Sequence, residues 1–190
     1  MTGGAFRGGA RVSFGDLNGD GRKDLIVAAG FGGGPRITVW DGLSLANRNP
    51  VQLANFFAFE PTLRNGTYVT AGDVNGDGRA DLVVGAGPGG GPRVSVFSGS
   101  FFPGTPTSRL ADFFAGNVAS RGGVTVAVKN LDGDAALDIV TGSGPGDTVS
   151  KAIGKLAAYL GSAIAARPNA PVASFSVEPL DGDNTGIYVG

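Results

Sequence analysis

Short runs of apolar residues recur along this chain, each broken by glycine, proline or acidic residues. Asp81 to Ala86 (Asp-Leu-Val-Val-Gly-Ala) is nearly continuous apolar, the pattern of a strand buried on both faces. Pro92 to Ser98 alternates instead, with Val94 and Val96 set against Arg93 and Ser95. Thr67 to Gly72 precedes these runs, and Arg109 to Ala115 follows with the pair Phe113, Phe114. Gly-Pro-rich segments separate them, so the stretch predicts four short strands. The same four runs appear earlier as Arg11 to Gly15, Asp24 to Ala29, Pro35 to Asp41 and Gln52 to Phe59. A third set includes Lys155 to Leu160 and closes with Val172 to Val177.

The third set contains one competing signal. Ile153, Leu156, Ala157, Leu160 and Ile164 follow helical spacing, so propensity alone favours a helix over Val149 to Ala166. Gly154 and Gly161 oppose it, each costing roughly 1 kcal/mol relative to alanine. Register with the earlier sets favours a strand over Lys155 to Leu160.

The polar breaks repeat as faithfully as the apolar runs. Asp73, Asn75, Asp77 and Asp81 occupy positions 1, 3, 5 and 9 of a loop, with Gly78 at position 6. Asp16, Asn18, Asp20 and Asp24 do the same 57 residues upstream, and Asn130, Asp132, Asp134 and Asp138 do so 57 residues downstream. A fixed period of this size marks a repeat architecture. The units run about 8–62, 63–119 and 120–182, and 185–190 repeats a first strand. The expected fold is all-β: three four-stranded antiparallel units plus an extra C-terminal strand.

Four oxygen-bearing side chains at odd spacing, with a glycine at the tight bend, suit a hard cation. Calcium takes six to eight oxygens from carboxylates, amides and main-chain carbonyls. The position-7 carbonyls would come from Arg22, Arg79 and Ala136. Up to three calcium ions are expected. The third site should be weakest, because Ala135 stands where Gly21 and Gly78 stand and would have to hold positive φ.

Composition narrows the function classes. Of 190 residues, 35 are glycine and 11 proline, yet the hydrophobic share of 42% argues against disorder. A net charge of −1 gives no electrostatic case for nucleic acid or an anionic membrane. Nine of the 16 acidic residues lie in the three loops, where they repel one another without a counter-ion. There is no Cys and no His, which removes thiolate chemistry, the commonest general base and the commonest zinc ligand. No run approaches the ~18 apolar residues of a membrane-spanning helix. The N-terminus lacks the apolar stretch of a signal peptide, which implies either a protein that stays inside the cell or an export signal left off this sequence.

Other features have plainer readings. Gly32-Gly33-Gly34-Pro35 and Gly89-Gly90-Gly91-Pro92 are turns, since no Walker lysine follows. Phe56, Phe57, Phe113, Phe114 and Phe175 are expected to pack between units, as is Trp40 beside its counterparts Phe97 and Tyr159. Arg36 and Arg93 recur, with Lys155 in the third unit; they either pair with acids or line a face. Arg7, Arg64 and Arg121 also share one repeat position. Asp181-Gly182-Asp183 looks like a degraded loop without its later ligand.

The loop core, with Gly85-Ala86-Gly87-Pro88 after it, resembles the FG-GAP/VCBS repeat family of integrin α-subunit heads and bacterial surface proteins. The resemblance implies β-propeller blades with calcium between the first and second strands. Such propellers usually have about seven blades, and three implies either part of a longer array or half of an oligomeric ring. It also implies a calcium-stabilised adhesion or scaffold module, extracellular or at the cell surface, that binds a protein or glycan. A purely structural repeat segment of a larger surface protein is the alternative. An enzyme acting on polysaccharides is the weaker one. Its candidates would be Glu60 and Glu178, the only glutamates, which the sequence spacing puts at equivalent blade positions.

Overall fold

The computed structural model describes residues 6–145, 155–177 and 186–190. It contains three four-stranded antiparallel sheets, one per repeat. The first is β1 (Ala10–Gly15), β2 (Asp24–Ala29), β3 (Arg36–Trp40) and β4 (Gln52–Phe57). The second is β5 (Thr67–Gly72), β6 (Asp81–Ala86), β7 (Arg93–Phe97) and β8 (Ala111–Phe114). The third is β9 (Val124–Lys129), β10 (Asp138–Ser143), β11 (Leu156–Tyr159) and β12 (Phe175–Val177). In each sheet the strands lie in chain order as an up-and-down meander. The fold is the expected all-β array of blades, and no closed barrel forms.

The blades stack face to face and bury two cores. Between blades one and two, Ile26, Ile37, Val39 and Phe56 meet Leu82, Val84, Phe97 and Phe102. Between blades two and three, Val83, Val94 and Phe113 meet Val124, Val126, Ile139, Tyr159 and Ile164. One aromatic contact recurs at both junctions. Phe56 stands edge-on to Phe97 with centroids 5.2 Å apart, and Phe113 meets Tyr159 at 4.9 Å. Such pairs add roughly 0.5–1.5 kcal/mol beyond the area they bury. The central β6 is buried on both faces, as its unbroken apolar run predicts. In β2 only alternate residues are fully buried, because blade one has a neighbour on one side only. Val12 and Phe14, on the uncovered side, are 57% and 56% exposed.

Several expectations need correction. Phe57 and Phe114 are 47% and 49% exposed, and Phe175 is exposed as well. Adjacent residues of a strand point to opposite faces, so only Phe56 and Phe113 of each pair can turn inward. Phe175 lies opposite Ala158, whereas Val177 lies opposite Leu156 much as Phe113 lies opposite Val94. Val177, not Phe175, thus holds the place of the inward phenylalanine. Trp40 is only half-buried and donates its indole N–H to Thr38 Oγ1 at 3.2 Å.

The third repeat combines both of its sequence signals. Leu156–Tyr159 is a strand, and Gly161–Ala166 is a short helix, α2. Equivalent turns follow β3 as helix α1 (Gly42–Ala46) and β7 as a 3-10 turn (Gly99–Phe101), neither of which the strand reading anticipates. Residues 186–190 do not form the expected extra strand; Ile187 N–H donates to Ser143 O at 2.8 Å, but no described strand runs beside them as a ladder. Val149 to Gly154, Glu178 and Asp181 to Asp183 lie outside the described residues.

Candidate functional site

Each acidic loop joins the first and second strand of its blade, and a β-pair on either side fixes its ends. In blade two the register closes at Gly72 opposite Asp81, and in blade one at Gly15 opposite Asp24. Eight residues must therefore turn back within one strand spacing. Glycines at positions 4 and 6 make this possible: Gly19, Gly21, Gly76 and Gly78 all have φ between 74° and 87°.

The position-1 aspartate organises that turn. Asp73 accepts from Gly76 N–H at 2.7 Å, Asp77 N–H at 3.1 Å and Gly78 N–H at 2.7 Å. Asp16 does the same with Gly19, Asp20 and Gly21. Asn75 Oδ1 accepts from Asp77 N–H, and Asp77 Oδ1 accepts from Arg79 N–H at 2.9 Å. Asn18 and Asp20 repeat both bonds.

The position-9 aspartate has a different setting. Asp24, Asp81 and Asp138 are wholly buried. Asp81 Oδ2 accepts from Val74 and Asn75 N–H, and Oδ1 accepts from Gly99 N–H at 3.0 Å. Asp24 holds Leu17, Asn18 and Gly42 in the same way. The carboxylate is thus a strut between the acidic loop and the helical turn after the third strand. Glycine is required at the far end: a Cβ on Gly99 would lie 2.4 Å from Ala80 O, and one on Gly42 would lie 2.1 Å from Lys23 O. Burial pushes the Asp81 carboxyl up to about 6; the Gly99 and Val74 N–H groups oppose this, and the charges of Asp77 and Asp73 add to it. Burial likewise raises Asp24, against its three N–H partners and with help from Asp20.

Loop three departs from this plan. Ala135 does not take positive φ; among the described residues the one non-glycine that does is Arg48. The expected strain is absent because the loop has changed shape instead. Asn130 Oδ1 accepts from Gly133 N–H at 2.7 Å, and its Nδ2 donates to Asp134 O. Asp132 and Asp134 accept from Asp134 N–H and Ala136 N–H. Asp138 keeps its strut role, with Leu131 N–H at 2.6 Å and Gly161 N–H at 3.0 Å.

Adjacent loops are also joined through the main chain. Ala80 N–H donates to Asp16 O at 3.0 Å, and Leu137 N–H donates to Asp73 O at 2.7 Å.

These loops supply the chemistry of a hard-cation site. Each brings three carboxylates and one amide. Most of their oxygens accept one hydrogen bond, which leaves a second lone pair for a cation. The donor set therefore fits calcium, with Asp16, Asn18, Asp20, Asp24 and the Arg22 carbonyl in loop one and their counterparts in the others. Among the described residues, however, no three acidic side chains stand close enough to form a ready cage. The carboxylates instead hold the loop's own N–H groups.

The recurring arginines resolve differently in the two blades. Arg93 donates Nη2 to Asp112 Oδ2 at 2.7 Å and Nη1 to Glu60 Oε1 at 3.0 Å, and its pKa is raised by both. Glu60 is held below the usual carboxylate range by its own N–H and by Arg93, which makes it a poor proton donor. Arg36 donates Nε to the neutral Asn55 Oδ1 at 2.8 Å. Arg64 and Arg121 cap loop carbonyls, on Pro61 and Leu63 and on Val118 and Ser120 respectively.

The profile of the FG-GAP-like repeat family matches residues 16–84, from the first residue of loop one to the middle of β6. No curated protein matches the chain.

Proposed function

The chain carries an FG-GAP-like repeat, and from that premise we propose a calcium-stabilised binding or scaffold module, without catalysis of its own, working outside the cell or at its surface. The observation that supports this reading most is the threefold recurrence of one donor set at constant spacing between the same two strands. The ligands would be Asp16, Asn18, Asp20, Asp24 and the Arg22 carbonyl; Asp73, Asn75, Asp77, Asp81 and the Arg79 carbonyl; and Asn130, Asp132, Asp134, Asp138 and the Ala136 carbonyl. A bound calcium would neutralise carboxylates that now repel one another. Metal that binds only the folded state adds RT ln(1 + [L]/Kd) to stability. Millimolar external calcium suits weak sites of this kind.

Titration calorimetry with calcium on the metal-free chain, together with thermal melts in calcium and in EDTA, tests the reading. Saturable heat and a higher Tm in calcium are expected. A flat titration with identical melts would remove calcium from the account.

The open side of blade one favours a second element. Val12 and Phe14 are exposed where the matching Val69 and Ala71 of blade two pack into a core. Exposed apolar faces and sheet edges invite partners. Self-association, with two chains completing a six-blade ring, would cover them, and a further blade of a longer array would do the same. Light scattering of the chain distinguishes these, since only the first gives a dimer.

A further inference from the structure

Each blade seats the first strand of the blade after it. A glycine of positive φ opens the seated strand: Gly66 at 65° before β5 and Gly123 at 72° before β9. Both are pressed onto the preceding blade. A Cβ on Gly66 would collide with Gly30, and one on Gly123 with Ala86 O and Gly87. The preceding blade clears space in turn, since a Cβ on Gly85 of β6 would collide with the carbonyl of Val124, the first residue of β9.

Blade three has the same seat, and residues 186–190 of this chain sit in it. Gly186 opens the segment with φ of 82°, and its Cβ would lie 2.6 Å from Pro145 N and 2.9 Å from Gly144 C. Gly142 stands in β10 as Gly85 stands in β6, opposite the second residue of its first strand. Its Cβ would lie 2.5 Å from Ile187 O, so Ile187 takes the place on blade three that Val124 takes on blade two. Ile187 N–H donates to Ser143 O at 2.8 Å, and Thr125 Oγ1 donates to Ile187 O at 2.6 Å. Tyr188 stands edge-on to Tyr68, with centroids 6.4 Å apart.

The first strand of blade one opens in the same way. Gly9 precedes β1 with φ of 70°, and a Cβ there would meet no described atom within 4 Å. It leads into the exposed Val12 and Phe14. Gly9, Ala10 and Arg11 thus match Gly186, Ile187 and Tyr188 position for position.

We propose that the Gly142 seat on blade three is the docking site for β1 of a second copy of this chain, and that residues 186–190 compete for it from within. The space over Gly142 fits one carbonyl, so the segment and the copy exclude each other. A site that is competent only while the segment is away binds its partner more weakly by that fraction. Two such contacts related by a twofold axis close six blades. The inference rests on the self-association reading and adds what controls it.

Light scattering of the whole chain over a concentration series gives the dimer dissociation constant. Two substitutions evict the segment. Ile187→Pro removes the N–H that Ser143 accepts, and Gly186→Val puts a branched residue at positive φ. Each should lower the dissociation constant at least tenfold. Gly9→Val, added to Ile187→Pro, should undo that gain, because the same strain then falls on the incoming copy. Circular dichroism unchanged in all variants shows that the blades remain folded. A dimer whose constant neither eviction moves overturns the inference and leaves self-association standing. A gain that survives Gly9→Val overturns β1 as the occupant. No dimer from any of these chains removes the self-association reading, and the inference with it.

Discussion

Loops two and three share one spacing of oxygen-bearing side chains and end in different shapes. In loop two, Asp73 gathers three main-chain N–H groups, and Gly78 bends with φ of 87° to present the last of them. In loop three, Asn130 accepts one N–H and turns its amide to the Asp134 carbonyl. Two substitutions account for the difference. An amide has one acceptor oxygen where a carboxylate has two. Alanine resists the left-handed bend that would swing the position-6 N–H inward. What survives is the buried position-9 carboxylate. The strut is therefore the structural minimum of the motif, and the position-1 turn is the adjustable part.

The strongest challenge to this division is to remove the strut. Asp81→Leu orphans three N–H groups and should cost about 3 kcal/mol, by analogy with hydrogen bonds to charged groups. Asp138→Leu loses two such bonds and should cost less by about 1 kcal/mol. Urea unfolding of both variants measures the gap; equal losses would show that the third bond of Asp81 contributes nothing.

The adjustable part is tested by converting loop three. Asn130→Asp with Ala135→Gly restores the loop-two pattern and should tighten calcium at the proposed third site about tenfold, or about 1.4 kcal/mol. Calorimetry that shows three equal sites in the unaltered chain would contradict the contrast outright.

Acid offers a milder test through a feature blade two has and blade three lacks. Burial works upward on Asp112, but hydrogen bonds from Arg93 and Ser95 outweigh it and lower its pKa; Ser176 stands at the matching register in blade three. A carboxylate with a lowered folded pKa contributes stability above its unfolded pKa of about 3.9, and that contribution fades as pH falls through the folded value. The partly exposed site limits the effect to under about 1 kcal/mol. Asp112→Ser should flatten the acid limb of the stability curve, and an unchanged limb would assign that limb to other groups.

The smallest expected effect comes from Ala135→Gly alone. Because Ala135 is not at positive φ, glycine there should destabilise the metal-free chain by roughly 0.5–1 kcal/mol. A gain in Tm would mean that alanine does strain the loop.

Much of this was legible in the sequence. Asp24–Ala29 and Asp81–Ala86 were readable to the residue, because nearly unbroken apolar runs between turn residues leave little choice. Phe57 and Phe114 were misjudged because paired aromatics look alike, although the pleat of a strand separates them. The slip that moved Phe175 out of register comes from the connection between β11 and β12, which is two residues longer than that between β7 and β8 and which repeat spacing alone does not resolve. The strut itself was hidden. Its partners are main-chain N–H groups, which leave no side-chain signature. The only trace was a glycine opening the turn after each third strand, at Gly42, Gly99 and Gly161. The oxygen-bearing side chains of positions 1, 3 and 5 were legible as composition, but the N–H groups of the loop that they accept from were not.

The bonds from Ala80 to Asp16 and from Leu137 to Asp73 have a mechanical result. The second and third loops each hang by their eighth residue from the first residue of the loop before. A distortion that opens one turn displaces the peptide from which the next is suspended, so the three rims yield as a row and not singly. A lesion in the middle loop disturbs both flanks, whereas one at either end has a single neighbour to disturb.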